Sequence, residues 1–302
     1  MKLLAALLLA SVTSTTSVAL TAPPAQATAA DLIAYAQYRT ETWELVLAGG
    51  EVVQVPEALA KAPADAVNPG ARAAFLISGD GRHFFYFRKR DGLFVERTVH
   101  GRERVVAKGI KAYAIYEEWP QVSDDGRLVI METSGPGIGV IADVRTGRTL
   151  PGPQSPDVWG FHGFSPDSKR MLMGGERLVV FDQRMRARTR LKSKQAPAAL
   201  ANDYVTAAVP VGDRKLRLLD VRTGKLGRTV TARLPRGGRI HDLDFDRSGQ
   251  VVVRSKTKAG VAVYRLSPKT GKATLLRAID RPAGAKIWVL PGDGMYERWT
   301  ER

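Results

Sequence analysis

The feature that most constrains the fold is a short motif that recurs about every 40 residues. In each copy an apolar strand ends at a turn rich in Ser and Asp, and a second apolar strand follows. Ser78 and Ser123 occupy equivalent positions 45 residues apart, and Ser123 and Ser165 are 42 residues apart. The copies read FLISGDGRHFFYF from Phe75, PQVSDDGRLVIME from Pro120, GFSPDSKRMLMGG from Gly163 and LDFDRSGQVVVRS from Leu243.

A second motif alternates with the first and ends a strand with Asp-x-x-Thr-Gly and a basic residue. It occurs as GVIADVRTGRTL from Gly139 and LRLLDVRTGKLG from Leu216, and, with Ser267 in the place of the Asp, as VYRLSPKTGKATLL from Val263. A degenerate copy, LVVFDQRMRARTRL, begins at Leu178. Glycines in these turns supply the positive φ that a tight hairpin needs. Together the motifs predict a four-stranded antiparallel meander, which buries its two apolar faces only by stacking on neighbours around a ring.

The repeats therefore predict an all-β fold, a β-propeller of six four-stranded blades. The five internal blades map to 72–118, 119–158, 159–200, 201–238 and 239–281, and a weak copy of the first motif begins at Ala201. Three apolar segments near the N-terminus, 33–39, 43–47 and 52–55, read as the later strands of a blade. Segment 287–290 reads as a first strand. We expect the two ends to form one composite blade that closes the ring.

Two alternatives to this fold stay open in the sequence. A seventh blade would fit if the Ala- and Pro-rich segment 56–72 hid strands, but its composition favours a surface loop with one helical turn at 57–61. A β-sandwich, or two small β domains, would account for the strands. Neither would account for the recurrence of Asp-Val-Arg-Thr-Gly at 143–147 and 220–224.

The repeats resemble those of the WD-repeat-like, TolB-type propeller family. The segment 163–175 is the closest match to the family's Phe-Ser-Pro-Asp-Gly-Lys strand and turn, with Ser168 where the family favours Gly. The copies from Pro120 and Leu243 match more loosely, and the Gly-His and Trp-Asp dipeptides of strict WD repeats are absent. The resemblance implies a scaffold that binds proteins, peptides or glycans, usually without catalysis, and assigns no site residue.

Residues 1–27 have the pattern of a secretory signal peptide. Lys2 precedes an apolar stretch at 3–10, and Ala25-Gln26-Ala27 is a small-x-small cleavage site. A membrane anchor is disfavoured because Ser and Thr interrupt the apolar run, and no later stretch is long enough to span a bilayer. We expect cleavage after Ala27, a single propeller domain at 28–302 and a secreted, extracellular protein. The absence of Cys excludes thiol catalysis, cysteine zinc sites and Fe–S clusters.

The chain carries a formal net charge of +16, which suggests an anionic neighbour. Solubility, or a bias of Arg-rich coding, would explain the charge equally well. Basic residues fall at every second position at Arg184, Arg186, Arg188 and Arg190, which on one strand would form a face suited to a polyanion. The competing interpretation is a solvated edge strand whose charges prevent edge-to-edge aggregation. The repeat alignment places 184–187 in a turn.

Candidate ligand-binding residues lie before or in the first strand of several blades. His162 and His241 lie near the expected funnel, although neither has metal-ligand spacing, and a turn histidine bonded to backbone explains each as well. Trp119, Trp159 and Trp288 sit before or at the innermost strands and could stack on a ligand at the top of the channel.

Metal and catalytic motifs are sparse. Asp244, Asp246 and Ser248 resemble the start of a calcium loop, but Ser255 stands where the bidentate Glu should close it, and the first two also fit the blade turn. No catalytic residue set, metal site or cofactor is predicted, although a Ser/His/Asp set could still assemble in space.

Three functions are compatible with this pattern. The first is a monomeric binding or scaffold protein for a protein, peptide or anionic envelope polymer, without specific nucleic-acid recognition. The second is an extracellular hydrolase or lyase with its site in the funnel, which predicts titratable residues with shifted pKa values at the channel mouth. The third is electrostatic attachment to an anionic wall polymer. The first is favoured over an enzyme because no catalytic signature occurs.

Overall fold

The computed structural model describes residues 29–108, 120–131, 139–153, 158, 160–257 and 259–292. The expected signal peptide lies outside these ranges. Across them the chain forms strands and a single three-residue 3-10 turn, Ala29–Asp31. In this part of the chain no helix has the length and apolarity needed to span a membrane.

The strands form six antiparallel sheets of four, so the protein is a six-bladed β-propeller. Blade 1 contains β4 (Phe75–Ile77), β5 (His83–Phe87), β6 (Phe94–Thr98) and β7 (Arg104–Val105). Blade 2 contains β8 (Gln121–Val122), β9 (Leu128–Met131), β10 (Val140–Asp143) and β11 (Arg148–Pro151). Blade 3 contains β12 (Gly160–Phe164), β13 (Arg170–Gly174), β14 (Arg177–Asp182) and β15 (Ala187–Lys192).

The remaining internal blades have the same order. Blade 4 contains β16 (Ala199–Leu200), β17 (Thr206–Gly212), β18 (Lys215–Asp220) and β19 (Val230–Thr231). Blade 5 contains β20 (Arg239–Phe245), β21 (Val251–Lys256), β22 (Gly260–Leu266) and β23 (Ala273–Asp280). The prediction of six blades, and the approximate limits of the internal five, are confirmed.

Blade 6 is composite, as predicted. It pairs β24 (Ile287–Val289) with β1 (Ile33–Arg39), followed by β2 (Thr42–Leu47) and β3 (Val52–Val55). In the closing pair Trp288 lies opposite Gln37 in antiparallel register. Hydrogen bonds between the two ends of the chain thus close the ring and leave no unpaired first strand in this blade.

The first repeated motif forms the turn between the first and second strands of a blade. Ser78 Oγ donates to Asp80 Oδ1 at 2.6 Å and accepts the backbone N–H of His83 at 3.0 Å. Blades 2 and 3 repeat both bonds with Ser123 and Ser165. The Ser and the Asp therefore satisfy each other and one strand N–H, which explains why the pair recurs.

The second motif caps the turn between the third and fourth strands. Asp143 Oδ1 accepts the N–H of Thr146 at 3.0 Å, and Gly147 takes a φ of 68° that a glycine adopts without strain. Asp143 Oδ2 also accepts from Arg127 Nη2 at 2.7 Å. Because Arg127 closes the preceding turn of the same blade, this ion pair joins the two motifs across one sheet.

The hydrophobic core consists of layers between neighbouring blades. Phe84 and Tyr86 pack in the layer shared with blade 6, whereas Phe85 and Phe87 pack in the layer shared with blade 2. The alternation buries both faces of β5, as expected of successive residues in a strand. Trp43 stacks on Phe75 with ring centroids 4.3 Å apart and so joins the composite blade to blade 1.

The expected helical turn at 57–61 is not present. Instead, Ala58 forms an isolated β-bridge with Arg88, and Leu59 donates its N–H to Phe87 O at 2.7 Å. The segment continues the edge of blade 1 because strand pairing satisfies its backbone groups better than one isolated helical turn would.

Candidate functional site

A cavity of about 320 Å³ occupies the centre of the ring. Its walls come from the first strands of blades 2, 3 and 5, the segment that leads into blade 4, and the turn that follows β24. The lining residues are Gln121, Val122, Asp124, Phe161, His162, Gly163, Phe164, Ala196, Pro197, Ala198, Ala199, Pro210, His241, Asp242, Leu243, Asp244 and Gly292. The cavity is large enough for a small molecule or a protruding side chain.

The cavity exists because blade 4 contributes only small side chains to the channel. Its first strand, β16, has two residues, and the chain enters it through Ala196, Pro197 and Ala198. Gly163 of blade 3 packs closely against this segment, since a Cβ there would lie 3.4 Å from Ala198 O. The space that larger residues would fill is left open between β12 and β20.

The two candidate histidines both line this cavity. Each interrupts the register of its strand: β12 shifts between Phe161 and Gly163, and β20 shifts between Ile240 and Asp242. Such bulges re-aim one side chain relative to the regular alternation. The ring of His162 lies over Gly174 of the next strand, where any Cβ would collide with it.

The opposite end of the cavity contains two buried carboxylates, Asp124 and Asp244. Each residue as a whole is half-buried, because one side of it is open to the cavity. Protein surrounds each carboxyl group on its other sides. Burial raises the pKa of Asp124 to about 6, with Asp80 adding to the rise and Arg254 opposing it. Burial likewise raises the pKa of Asp244 well above its usual value, and the charge of Asp124 adds to this rise.

Arg254 is the buried cation of this cluster. It lies on β21 opposite Asp242 of β20 and is buried, with 7% of its surface exposed. Its Nη2 donates to Pro291 O at 2.9 Å, which fixes the guanidinium against Gly292 at the closing blade. Arg254 thus faces Asp242 and acts on Asp124 and Asp244, and Arg247 acts on Asp124 as well, so three carboxylates share two arginines.

An aromatic wall borders the carboxylates. Phe161 and Phe164 of β12 are half-buried, with ring centroids 4.8 Å apart and planes tilted by 60°. Trp288, expected at the channel, is instead buried with Leu290 and Val261 between blades 5 and 6, because the alternation of β24 directs it away from the axis. Trp119 and Trp159 lie outside the described residues.

The calcium candidates separate in space. Asp244 lines the cavity, whereas Asp246 Oδ1 accepts from Ser248 Oγ at 2.5 Å and Asp246 Oδ2 accepts from Arg265 Nε at 3.0 Å. Asp246 and Ser248 form the turn between the first and second strands of blade 5, with the order of Ser and Asp exchanged relative to blades 1 to 3. In the described part of the chain, no three His, Asp or Glu side chains are grouped as a metal site requires.

The basic candidates lie far from the cavity, on the outer edge of blade 3. Arg184 is in the turn after β14, as the repeat alignment indicated, and β15 begins at Ala187. Arg186, Arg188 and Arg190 alternate with half-buried residues and are exposed.

Sequence reasoning missed Asp124 and Arg254. The turn position of Asp124 is occupied in other blades by Gly79, Pro166 and Asn202, and contacts between these turns encircle one end of the channel. The equivalent position in the other blades carries no acidic residue. The carboxylate of Asp124 was therefore the feature of the sequence that could have indicated a functional residue. Arg254 had no comparable signal. It lies on a second strand, where sequence reasoning expects buried apolar side chains and does not expect a buried charge.

No protein-family model matches the chain, and no curated protein matches its sequence. Among solved structures it is similar to Porphyromonas gingivalis dipeptidyl peptidase 4, with 13% identity, a TM-score of 0.41, and 69% of this chain and 40% of that chain covered. It is also similar to Kuenenia stuttgartiensis hydrazine synthase, with 14% identity, a TM-score of 0.39, and coverage of 68% and 65%.

A third similar structure is dihydro-heme d1 dehydrogenase NirN, with 15% identity, a TM-score of 0.47, and coverage of 87% of this chain and 56% of that one. This chain therefore spans 40% to 65% of the length of these proteins. Similarity at this level says nothing about activity or ligand. The class of the protein, a six-bladed β-propeller, follows from its own sheet topology.

Proposed function

We propose that this protein is a secreted binding propeller of the WD-repeat-like, TolB-type kind, with its ligand site in the central channel. The observation that carries the proposal is one cavity, lined by Phe161, Phe164, His162 and His241, with Asp124 and Asp244 at one end. Secretion is supported by the signal-peptide pattern at 1–27, and the family by the repeat at 163–175.

The ligand we propose carries a cationic nitrogen next to an apolar group. Burial raises the pKa of both Asp124 and Asp244, the charge of Asp124 adds to the rise at Asp244, and Arg254 opposes the rise in both. A cationic ligand group beside these carboxylates would stabilise their ionised forms and relieve the like-charge repulsion. The rings of Phe161 and Phe164 offer an apolar and π-electron surface for the rest of such a ligand.

Benzamidine is a suitable probe because it joins an amidinium to a single ring, and benzamide is its neutral isostere. We expect benzamidine to raise the thermal unfolding midpoint while benzamide does not. Calorimetry at about pH 6, in buffers of different ionisation enthalpy, should detect a fraction of a proton released on binding, because a bound cation lowers carboxylate pKa values.

Asp124→Asn should weaken benzamidine binding by at least about tenfold, which corresponds to 1.4 kcal/mol. The matched control is Asp213→Asn, since the side chain of Asp213 is 70% exposed and lies outside the cavity. Equal binding of benzamidine and benzamide, or equal affinity of both variants, would contradict a cation site in the channel.

A second candidate function, acid–base catalysis in the same channel, is supported by the pKa of about 6 at Asp124. A carboxyl group with this pKa exchanges protons readily near neutral pH, as a general acid or base must. A survey of chromogenic ester and glycoside substrates would test this function. Turnover that has an inflection near pH 6 and is lost in Asp124→Asn would favour catalysis, and turnover unaffected by this substitution would exclude a role for Asp124.

A further inference from the structure

The positive charge of the chain is concentrated in one stretch. Residues 183–240 contain 15 Lys and Arg against three Asp and no Glu, a net charge of +12 in 58 residues. The other 244 residues contain 31 basic and 27 acidic residues, a net charge of +4. A general bias toward Arg codons would spread the excess along the chain, so this distribution requires a local explanation.

The structure arranges the first part of this stretch as one exposed stripe. Alternate residues from Arg184 to Lys194 are exposed and basic, and the residues between them are half-buried. The members are Arg184, Arg186, Arg188, Arg190, Lys192 and Lys194. Where the stripe follows β15, successive charges lie about 6.6 Å apart along the strand.

Most of this charge is not neutralised locally. Asp182 is the acidic partner of the stripe: its Oδ2 accepts from Arg186 Nε at 3.1 Å and from Arg188 Nη2 at 2.5 Å. Arg190, Lys192 and Lys194 have no acidic partner among the described residues. One carboxylate thus faces six cations, whereas one or two charges would suffice to protect an edge strand.

The side of β15 opposite the stripe faces blade 4. Leu191, on the opposite side of β15, packs against the turn of blade 4 at Gly224, where a Cβ would lie 3.2 Å from Leu191 Cδ1. Exposed Arg222 and Lys225 flank this glycine. Arg222 is paired with Asp220, whose Oδ2 lies 3.5 Å from its Nη2, so Arg222 and Lys225 are not counted with the stripe. We call the exposed stripe from Arg184 to Lys194 the basic rim.

We propose that the basic rim binds a flexible, phosphate-bearing linear polymer along the outer edge of blade 3. Guanidinium groups bind phosphate oxygens in pairs, and a row of them matches a chain of regularly spaced anions. The rim lies on the convex circumference of the ring, which a flexible chain can follow and a flat bilayer or a stiff duplex meets at few points. This site is separate from the channel and does not depend on its proposed ligand.

Linear long-chain polyphosphate is the probe. The test variant is the triple substitution Arg190→Gln, Lys192→Gln and Lys194→Gln, which leaves Asp182 with its partners. At about 0.1 M salt its affinity for polyphosphate should be at least about tenfold below that of the unmodified chain. The slope of log affinity against log salt concentration should shrink by about two, since three contacts with a single-chain polyanion are lost.

The control is the triple substitution Arg82→Gln, Arg102→Gln and Lys108→Gln in blade 1, across the ring from blade 4. It removes the same charge from exposed positions. An equal loss of polyphosphate affinity in both triple variants would show that only net charge matters. Unchanged affinity in the test variant would show that the basic rim does not bind polyphosphate. Either result overturns the proposal, as would tighter binding to phosphatidylglycerol vesicles or duplex DNA than to polyphosphate.

Discussion

Ser168 and Tyr204 occupy the same turn position in neighbouring blades, and both have left-handed backbones, with φ of 58° and 59°. Blades 1, 2 and 5 place a glycine there, with φ between 68° and 78°, at Gly81, Gly126 and Gly249. A side chain in this region costs roughly 1 kcal/mol or more. The two non-glycine residues therefore carry strain that the other three turns avoid.

Ser168→Gly should stabilise the protein. The Ser168 side chain is fully buried, and its Oγ has no hydrogen-bond partner among the described residues, so the substitution removes both strain and an unsatisfied hydroxyl. We expect a gain of about 1 kcal/mol, after the added freedom of the unfolded chain is allowed for. Urea denaturation measures this gain, and a loss of stability would show that the hydroxyl is satisfied in solution.

Tyr204→Gly should have the opposite effect at the equivalent position. Tyr204 Oη donates to Asp167 Oδ2 at 2.5 Å, and the Arg170 guanidinium lies 4.6 Å from the ring centroid. Losing these contacts should cost about 1–3 kcal/mol, more than the relief of strain returns. If both glycine variants were stabilised in the same denaturation experiment, backbone strain alone would govern this position.

Stability should fall with rising pH because of His83. Burial by itself would lower the pKa of His83, but the hydrogen bond of its Nδ1 to Glu96 Oε1, at 2.6 Å, and the charge of Glu96 raise it overall. A raised pKa in the folded state means that this contribution is complete below about pH 6.5 and is lost as pH rises through the folded value.

Unfolding free energies measured between pH 5 and pH 9 check this prediction. Glu96→Gln should remove the part of the decrease that His83 contributes, so stability should fall less with pH than in the unmodified chain. Arg104→Gln is the control, since Arg104 Nε lies 3.9 Å from the other oxygen of Glu96 and does not contact the histidine. A decrease of equal size in Glu96→Gln and in the unmodified chain would assign all of it to other groups, such as Asp124.

Asp124→Asn should increase stability at neutral pH. Because burial raises the pKa of Asp124 to about 6 in the folded state, its stabilising proton is present below about pH 4 and is lost as pH rises through 6. Asparagine stays neutral, so the variant should exceed the unmodified chain by about 1–3 kcal/mol at pH 8 and match it at pH 4.

The adjacent residue provides the contrast for the same measurement. Asp125 Oδ1 accepts from Ser123 Oγ at 2.7 Å and from the N–H of Arg127 at 3.1 Å. Asp125→Ala removes both acceptor contacts and should therefore destabilise the turn at both pH values. A loss of stability at pH 8 in Asp124→Asn as well would mean that its ionised carboxylate supports the fold.

Trp288→Ala should weaken the closure of the ring. Trp288 is 6% exposed and fills the layer between blades 5 and 6, so truncation should cost about 3–5 kcal/mol. Hydrogen exchange should accelerate first in β1 and β24, which pair only three residues. Val52→Ala, on the outer strand of the same blade and 50% exposed, should change stability by less than about 0.5 kcal/mol.

Local patterns in the sequence determined most of the architecture. The Ser, Asp and Gly of each turn and the alternation of the strands are set by neighbours a few residues apart, so the blades and the composite closure of 33–55 with 287–289 could be predicted. The positions of His162 and His241 near the axis followed from the same repeat, because first strands line the channel.

Only the tertiary structure decided which residues lie opposite His162 and His241 in the channel. Asp124 and Asp244 are separated by 120 residues, and they line one cavity because the ring brings the first strands of blades 2 and 5 around one axis. Their pKa values depend on burial and on Arg254, and neither is encoded by a local pattern. The cavity depends on small residues in a different blade, since empty space is a property of the whole packing.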